Sequence, residues 1–139
     1  MTTIDFYTHV TDRLGIAARV VAKAAAVHSH VRVLTPDDAT TDALDRLLWT
    51  TPPTAFVPHC RMNSPLAAQT PVWIDHRLEH VGPAAVLVNL HAETPPFFSR
   101  FERLIEIIGE VNAAAGRLRY KFYRERGYEM RTHDMSARA

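Results

Sequence analysis

Strand and helix patterns alternating along one domain-sized chain predict a single-domain α/β fold, with a mostly parallel central sheet flanked by helices. Ile4–Tyr7 and Val31–Leu34 read as short strands, each followed by a helix-forming stretch, the order that βα units require. Ala85-Val-Leu-Val-Asn-Leu90 is apolar enough to be buried on both faces, as inner strands of parallel sheets are. The length, 139 residues, suits one domain with its own core.

The elements follow in order. Ile4-Asp-Phe-Tyr7 alternates weakly and opens the sheet. Thr11 or Asp12 can cap a helix whose apolar positions Leu14, Ala17, Ala18, Val21 and Ala25 recur at helical spacing. Val31–Leu34 is the second strand. Thr35-Pro-Asp-Asp38 then makes a compact helix start: threonine as N-cap, proline where a missing N–H costs nothing, two carboxylates at the positive end of the dipole. Ala39, Ala43, Leu44, Leu47 and Leu48 supply that helix's buried face. Thr50–Ala55 is a loop, and Phe56-Val-Pro-His59 a short edge strand, because proline is excluded from central ladders. Val72–Asp75 and Ala85–Leu90 are further strands. Thr94-Pro95 repeats the cap-plus-proline start, and Phe97, Phe101, Leu104, Ile105 and Ile108 fit one helix face. Gly109 separates this from a last helix over about Asn112 to Arg126, ended by Gly127 as the C′ residue. Residues 1–128 form the expected domain, and 129–139, poor in apolar residues, a flexible tail.

Several functions are excluded or weakened by what is missing. The first strand–helix turn, Thr8-His-Val-Thr-Asp-Arg-Leu-Gly15, has neither G-x-G-x-x-G nor G-x-x-x-x-G-K-[ST]. Without those glycines the backbone cannot closely approach a pyrophosphate, so no nucleotide cofactor is expected. His76 and His80 stand at i, i+4 but lie between strands, and His28 and His30 at a helix end. For His76 and His80, solvated loop histidines are the leading reading over a metal site. Cys60 beside His59 does not make a nucleophile–base pair, since strand neighbours point to opposite faces. No catalytic group is expected. The lone cysteine fits a reducing compartment. No signal peptide is visible, and no apolar run reaches the roughly 18 to 20 residues of a membrane helix. The expected location is cytoplasmic. A formal net charge of +1 gives no whole-molecule attraction to DNA or anionic membrane.

Two surfaces remain as candidates. On the last helix, Val111, Ala115, Leu118 and Phe122 form the expected core stripe at i, i+4, i+7, i+11, with Arg119 and Arg126 solvated. At about 100° per residue, Arg117, Lys121, Arg124 and Tyr128 cluster on one flank with Tyr120 at its edge. A solvated charged face is the leading reading on spacing alone. A pocket for an acidic peptide ending in an apolar residue and a single-stranded nucleic-acid surface are the alternatives. The second candidate is Leu48-Trp49 with Phe56-Val57-Pro58, a closed sheet edge by default and a partner patch otherwise.

Five pieces, in order over nearly the whole chain, resemble the chi subunit family of bacterial DNA polymerase III. They are Ile-Asp-Phe-Tyr7; Ala43-Leu-Asp-Arg-Leu-Leu-Trp49; Ala55-Phe-Val-Pro-His59; Val86-Leu-Val-Asn-Leu90; and Arg119-Tyr-Lys-Phe-Tyr-Arg124 with Gly127-Tyr128. The resemblance implies a three-layer Rossmann-like domain without a nucleotide and a non-catalytic adaptor in DNA replication. It implies that the acidic C-terminal tail of single-strand DNA-binding protein is held by Arg117, Tyr120, Lys121 and Arg124, with Tyr128. It implies that the psi subunit, which leads to the clamp loader, meets Trp49, Phe56, Val57 and Pro58, with a helicase able to compete for that surface. Little direct DNA binding and no membrane partner are expected. Cys60-Arg-Met-Asn63 departs from the Leu-Ala-Gly-Glu stretch common after Val-Pro-His in the family.

Overall fold

The computed structural model describes residues 2–28, 30–50, 58–62, 64–66, 70–76, 85–91 and 93–136. Its strands are β1 (Thr3–Val10), β2 (Val31–Leu34), β3 (His59–Cys60), β4 (Val72–Asp75), β5 (Val86–Asn89), β6 (Arg103–Gly109) and β7 (Glu129–Asp134). Its helices are α1 (Arg13–Val27), α2 (Asp38–Thr50) and α3 (Ala113–Glu125). The strands form one sheet in the order β3-β4-β2-β5-β6-β1-β7, parallel in every pairing. The expected three-layer α/β domain is what the chain forms.

Two apolar cores sandwich the sheet. On one face Val33, Ile74, Val88 and Ile107 meet Ala17 and Val21 of α1 and Leu44 and Leu48 of α2. On the other, Ile4, Phe6, Leu87 and Leu104 meet Phe97, Phe98, Phe101 and Tyr123 of α3. Asp12 caps α1, its carboxylate accepting from the Gly15 N–H at 3.0 Å. The cap of α2 is Asp37, not Thr35. The Asp37 carboxylate accepts from the Thr40 N–H at 2.8 Å and its carbonyl from the Thr41 N–H at 3.1 Å. The Thr35 hydroxyl is buried against that of Thr41 instead. Within α2, Ala39 is exposed and Thr41 takes a buried position.

The apolar spacing from Phe97 to Ile108 does not make a helix. One 3-10 turn, Phe98–Arg100, precedes a strand. Pro95-Pro96 limits the local hydrogen bonding, and Leu104-Ile-Glu-Ile-Ile108 is rich in β-branched residues. The slot between β1 and β5 pairs both edges of that run. Its side chains are buried alternately on the two faces of the sheet, and all but Glu106 are apolar. A helix period and a doubly buried strand are not distinguishable in such a run.

The expected tail also changes at Glu129–Asp134, which pairs in parallel with β1 from Thr3↔Glu129 to Thr8↔Asp134. An edge strand needs little apolar content. Here Met130 packs on the α3-side core, while Arg131 and His133 reach the buried Asp5 carboxylate at 3.0 and 3.3 Å. The edge position of the Pro58-His59 region holds for β3. Phe56 and Val57 lie outside the described residues.

Acid sensitivity is expected at the start of α2. A hydrogen bond from Arg61, with its charge, holds the Asp38 carboxyl below the usual range. Bonds from Thr40 do the same for Asp37. A lowered folded pKa contributes stability that is present above the unfolded pKa and lost as pH falls through the folded one. The melting temperature should therefore decline on acidification below the ordinary carboxylate range. Asp38→Asn should make that decline shallower in thermal melts recorded as a function of pH.

Candidate functional site

Helix α3 docks on the sheet through Gly116, Arg119 and Tyr123. Gly116 lies so close to β6 that a Cβ there would come within 2.7 Å of the Ile108 side chain. Arg119 and Tyr123, one turn apart, both reach Glu106, a fully buried carboxylate in mid-β6. Arg119 Nη2 is 3.1 Å from it, the Tyr123 hydroxyl donates at 2.8 Å, and Asn89 Nδ2 donates at 3.0 Å. Burial pushes the Glu106 carboxyl up, against the opposing pull of Arg119, Tyr123 and Asn89. Burial and the neighbouring Glu106 push the Tyr123 hydroxyl up as well.

This polar line turns the helix away from the orientation its apolar spacing suggests. Val111 is 93% and Leu118 71% exposed, and Phe122 is half-buried with the Arg126 guanidinium 4.3 Å above its ring. The expected stripe is therefore not the core face, and Arg119, expected in solvent, is buried. Leaving Glu106 without a cation would cost about 3–5 kcal/mol, more than the roughly 1.5–3 kcal/mol that burying Leu118 would contribute; Val111 precedes α3. One signal for this was present in the sequence: a single acid inside an otherwise apolar strand demands a buried partner.

The same rotation presents the expected flank. Arg117, Lys121 and Arg124 are exposed and Tyr120 is half-buried beside them. The Arg124 guanidinium lies 5.8 Å from the Tyr120 ring centroid, and Tyr120 packs edge-on against Phe6 at 5.2 Å. Lys121 is 3.9 Å from Glu125 one turn on, an exposed pair of little energetic weight. Tyr128 does not join them. The Gly127 N–H bonds the Arg124 carbonyl and the Tyr128 N–H the Tyr123 carbonyl, a Schellman closure with Gly127 at φ 82°. The chain therefore turns back, and the Tyr128 ring packs on Phe98 at 5.3 Å and on Tyr123. Gly127→Ala should lower stability by about 1 kcal/mol in urea denaturation, since an L residue is strained at that φ.

Beside the flank lies a cleft of about 970 Å³, bounded by Phe6 and Val10 on one wall and Ile108, Ala113, Arg117 and Tyr120 on the other. It opens at the C-terminal ends of β1 and β6, where parallel α/β sheets commonly place ligands. His9, in the left-handed region at φ 57°, turns the chain at its rim, and its Nδ1 lies 3.1 Å from Asp134. Arg117 and Tyr120 belong to both flank and cleft. The β1 wall had no signal in the sequence, because pairing of strands about 100 positions apart creates it.

The second candidate surface is partly described. Trp49, at the end of α2, is 59% exposed and Pro58 is exposed. Among the described residues no group of three His, Cys, Asp or Glu side chains is placed to hold a metal ion. His76 instead lies 3.3 Å from Asp75, and His80 is outside the described residues. No helix of the described chain is long and apolar enough to cross a membrane.

A family model described as DNA polymerase III chi subunit, HolC, matches residues 1–131. The chain is similar to DNA polymerase III subunit chi of Pseudomonas aeruginosa, 32% identical over 139 residues and covering 96% of each chain. It is also similar to the protein of that name from Haemophilus influenzae, 26% identical over 125 residues, covering 86% of this chain and 85% of the relative.

Proposed function

Because this chain belongs to the chi subunit family of DNA polymerase III, it is a DNA replication accessory subunit without catalytic activity of its own, and we propose that it works there as an adaptor. The flank Arg117, Tyr120, Lys121 and Arg124 takes the acidic C-terminal tail of single-strand DNA-binding protein. The psi subunit, joined on the Trp49 and Pro58 side, connects it to the clamp loader in the cytoplasm, and a helicase competes for that side. The observation behind the tail assignment is that Arg117 and Tyr120 border an apolar-walled cleft while Lys121 and Arg124 extend the same exposed flank. Cations suit the tail's carboxylates, and the cleft suits its terminal apolar side chain. Each single-strand-binding protein offers weak ligands along the lagging-strand template. Holding one raises the local concentration of the polymerase complex at the fork.

Titration with the acidic tail peptide, read by fluorescence anisotropy, tests this. A peptide lacking its terminal phenylalanine should bind at least about ten-fold more weakly, the value of one well-buried aromatic contact. Equal affinity for the two peptides would sink the cleft assignment. The same flank, with a guanidinium over an aromatic ring, also suits single-stranded nucleic acid. Tight binding of bare single-stranded DNA at physiological salt would favour that reading over the tail.

A further inference from the structure

Trp49 is a large aromatic side chain left mostly in solvent, yet its ring is not unsupported. Asp45 and Trp49 stand one turn apart on α2, and the His59 imidazole of β3 lies between them. Its Nε2 is 3.0 Å from the Asp45 carboxylate, and its ring meets the indole edge-on at 5.2 Å and 60°. The His59 side chain is wholly buried, while that of Asp45 is 41% exposed. A buried imidazole braced on one side by a carboxylate is a fixed wall for whatever packs on its other side. The residue is also fixed in the backbone, because His59 pairs with Val72 of β4.

We propose that His59 is a positioning residue: braced by Asp45, it fixes the Trp49 indole outward, ready for an apolar pocket on a protein partner. This rests on the reading above, in which that partner is the psi subunit. An exposed tryptophan that is free to rotate loses its side-chain freedom on binding, a cost that weakens association. One already held against His59 has lost it on folding. The brace therefore strengthens association without touching the partner. It also fits the preference for tryptophan as a rigid anchor at the centres of interfaces.

The chain has two tryptophans, so a Trp73→Phe background leaves Trp49 as the only indole. In that background Trp49 fluorescence anisotropy should be high. It should fall in His59→Ala and also in Asp45→Asn, a partly exposed site where the fold is less at risk. Binding of the psi subunit should weaken about two- to ten-fold in each variant. A double variant with Trp49→Ala should bind no worse than Trp49→Ala alone, because His59 acts through the indole. Unchanged anisotropy in Asp45→Asn and in a folded His59→Ala would overturn the proposal, as would additive losses in the double variant. If psi does not bind the unaltered protein, the functional reading fails, and the anisotropy series still decides whether His59 positions Trp49.

Discussion

Arg119→Ala is expected to destabilise the protein by about 3–5 kcal/mol, the usual result of removing one partner from a buried ion pair. Glu106 is fully buried, and Arg119 is the cation that reaches it from α3 at 3.1 Å. The remaining donors, Tyr123 and Asn89, are neutral and cannot balance its charge. Urea denaturation with linear extrapolation measures the loss. Replacing both partners by apolar residues, as in Glu106→Leu with Arg119→Met, should cost much less than the single change. Both charges then disappear from the interior, and the volume is kept. A loss below about 1 kcal/mol for Arg119→Ala would show that the pair is solvated. The change also has a functional readout. If the pair sets the rotation of α3, a folded Arg119→Ala protein should lose affinity for the tail peptide although Arg119 is hidden from it.

Arg117→Glu combined with Lys121→Glu should weaken tail-peptide binding by about 100-fold or more. Each charge-assisted contact contributes about 1.5–3 kcal/mol, and reversal adds repulsion to the loss. Both side chains are exposed, so the melting temperature should barely move. Arg126→Glu is the matched control. It changes charge as much as either single reversal, Arg117→Glu or Lys121→Glu, but Arg126 sits over Phe122 on the other side of the helix, and affinity for the peptide should stay within about two-fold. Raising salt should weaken the unaltered protein's binding far more than the double variant's. A loss in the control as large as that of either single reversal would mean that only net charge matters.

The legible parts of the sequence were those set by local chemistry. The caps and turns near Asp12 and Gly127, the strands at β1, β2, β4 and β5, and the parallel α/β class all follow from residues close together in the chain. So did the basic flank, because side chains three and four apart on a helix share a face whichever way the helix is turned. The face that α3 buries was not legible. It depends on Glu106, which lies in a strand that reads as a helix, and the two misreadings share one cause. Leu104–Ile108 is buried on both sides, which erases the alternation that marks a strand. With β6 misread, nothing placed an acid beneath α3, and Arg119 had no reason to turn inward. Tyr128 fitted the flank by spacing, but the spacing stops applying once Gly127 ends the helix. Strand β7 had no local sign at all, since its pairing with β1 is the main contact that orders it.

The pairing of β1 has a consequence for how the protein is made. Its neighbours in the sheet are β6 and β7, and the Thr3 hydroxyl reaches Glu129, 126 positions away. β1, translated before the other described strands, is therefore among the last to be completed. Ile4 and Phe6, fully covered in the finished fold, stay without strand partners until β6 (Arg103–Gly109) has been translated. Such a chain folds slowly and offers a sticky segment throughout its synthesis. A chaperone that holds nascent N-terminal segments should raise its yield more than it would for a protein whose first strand pairs with the second.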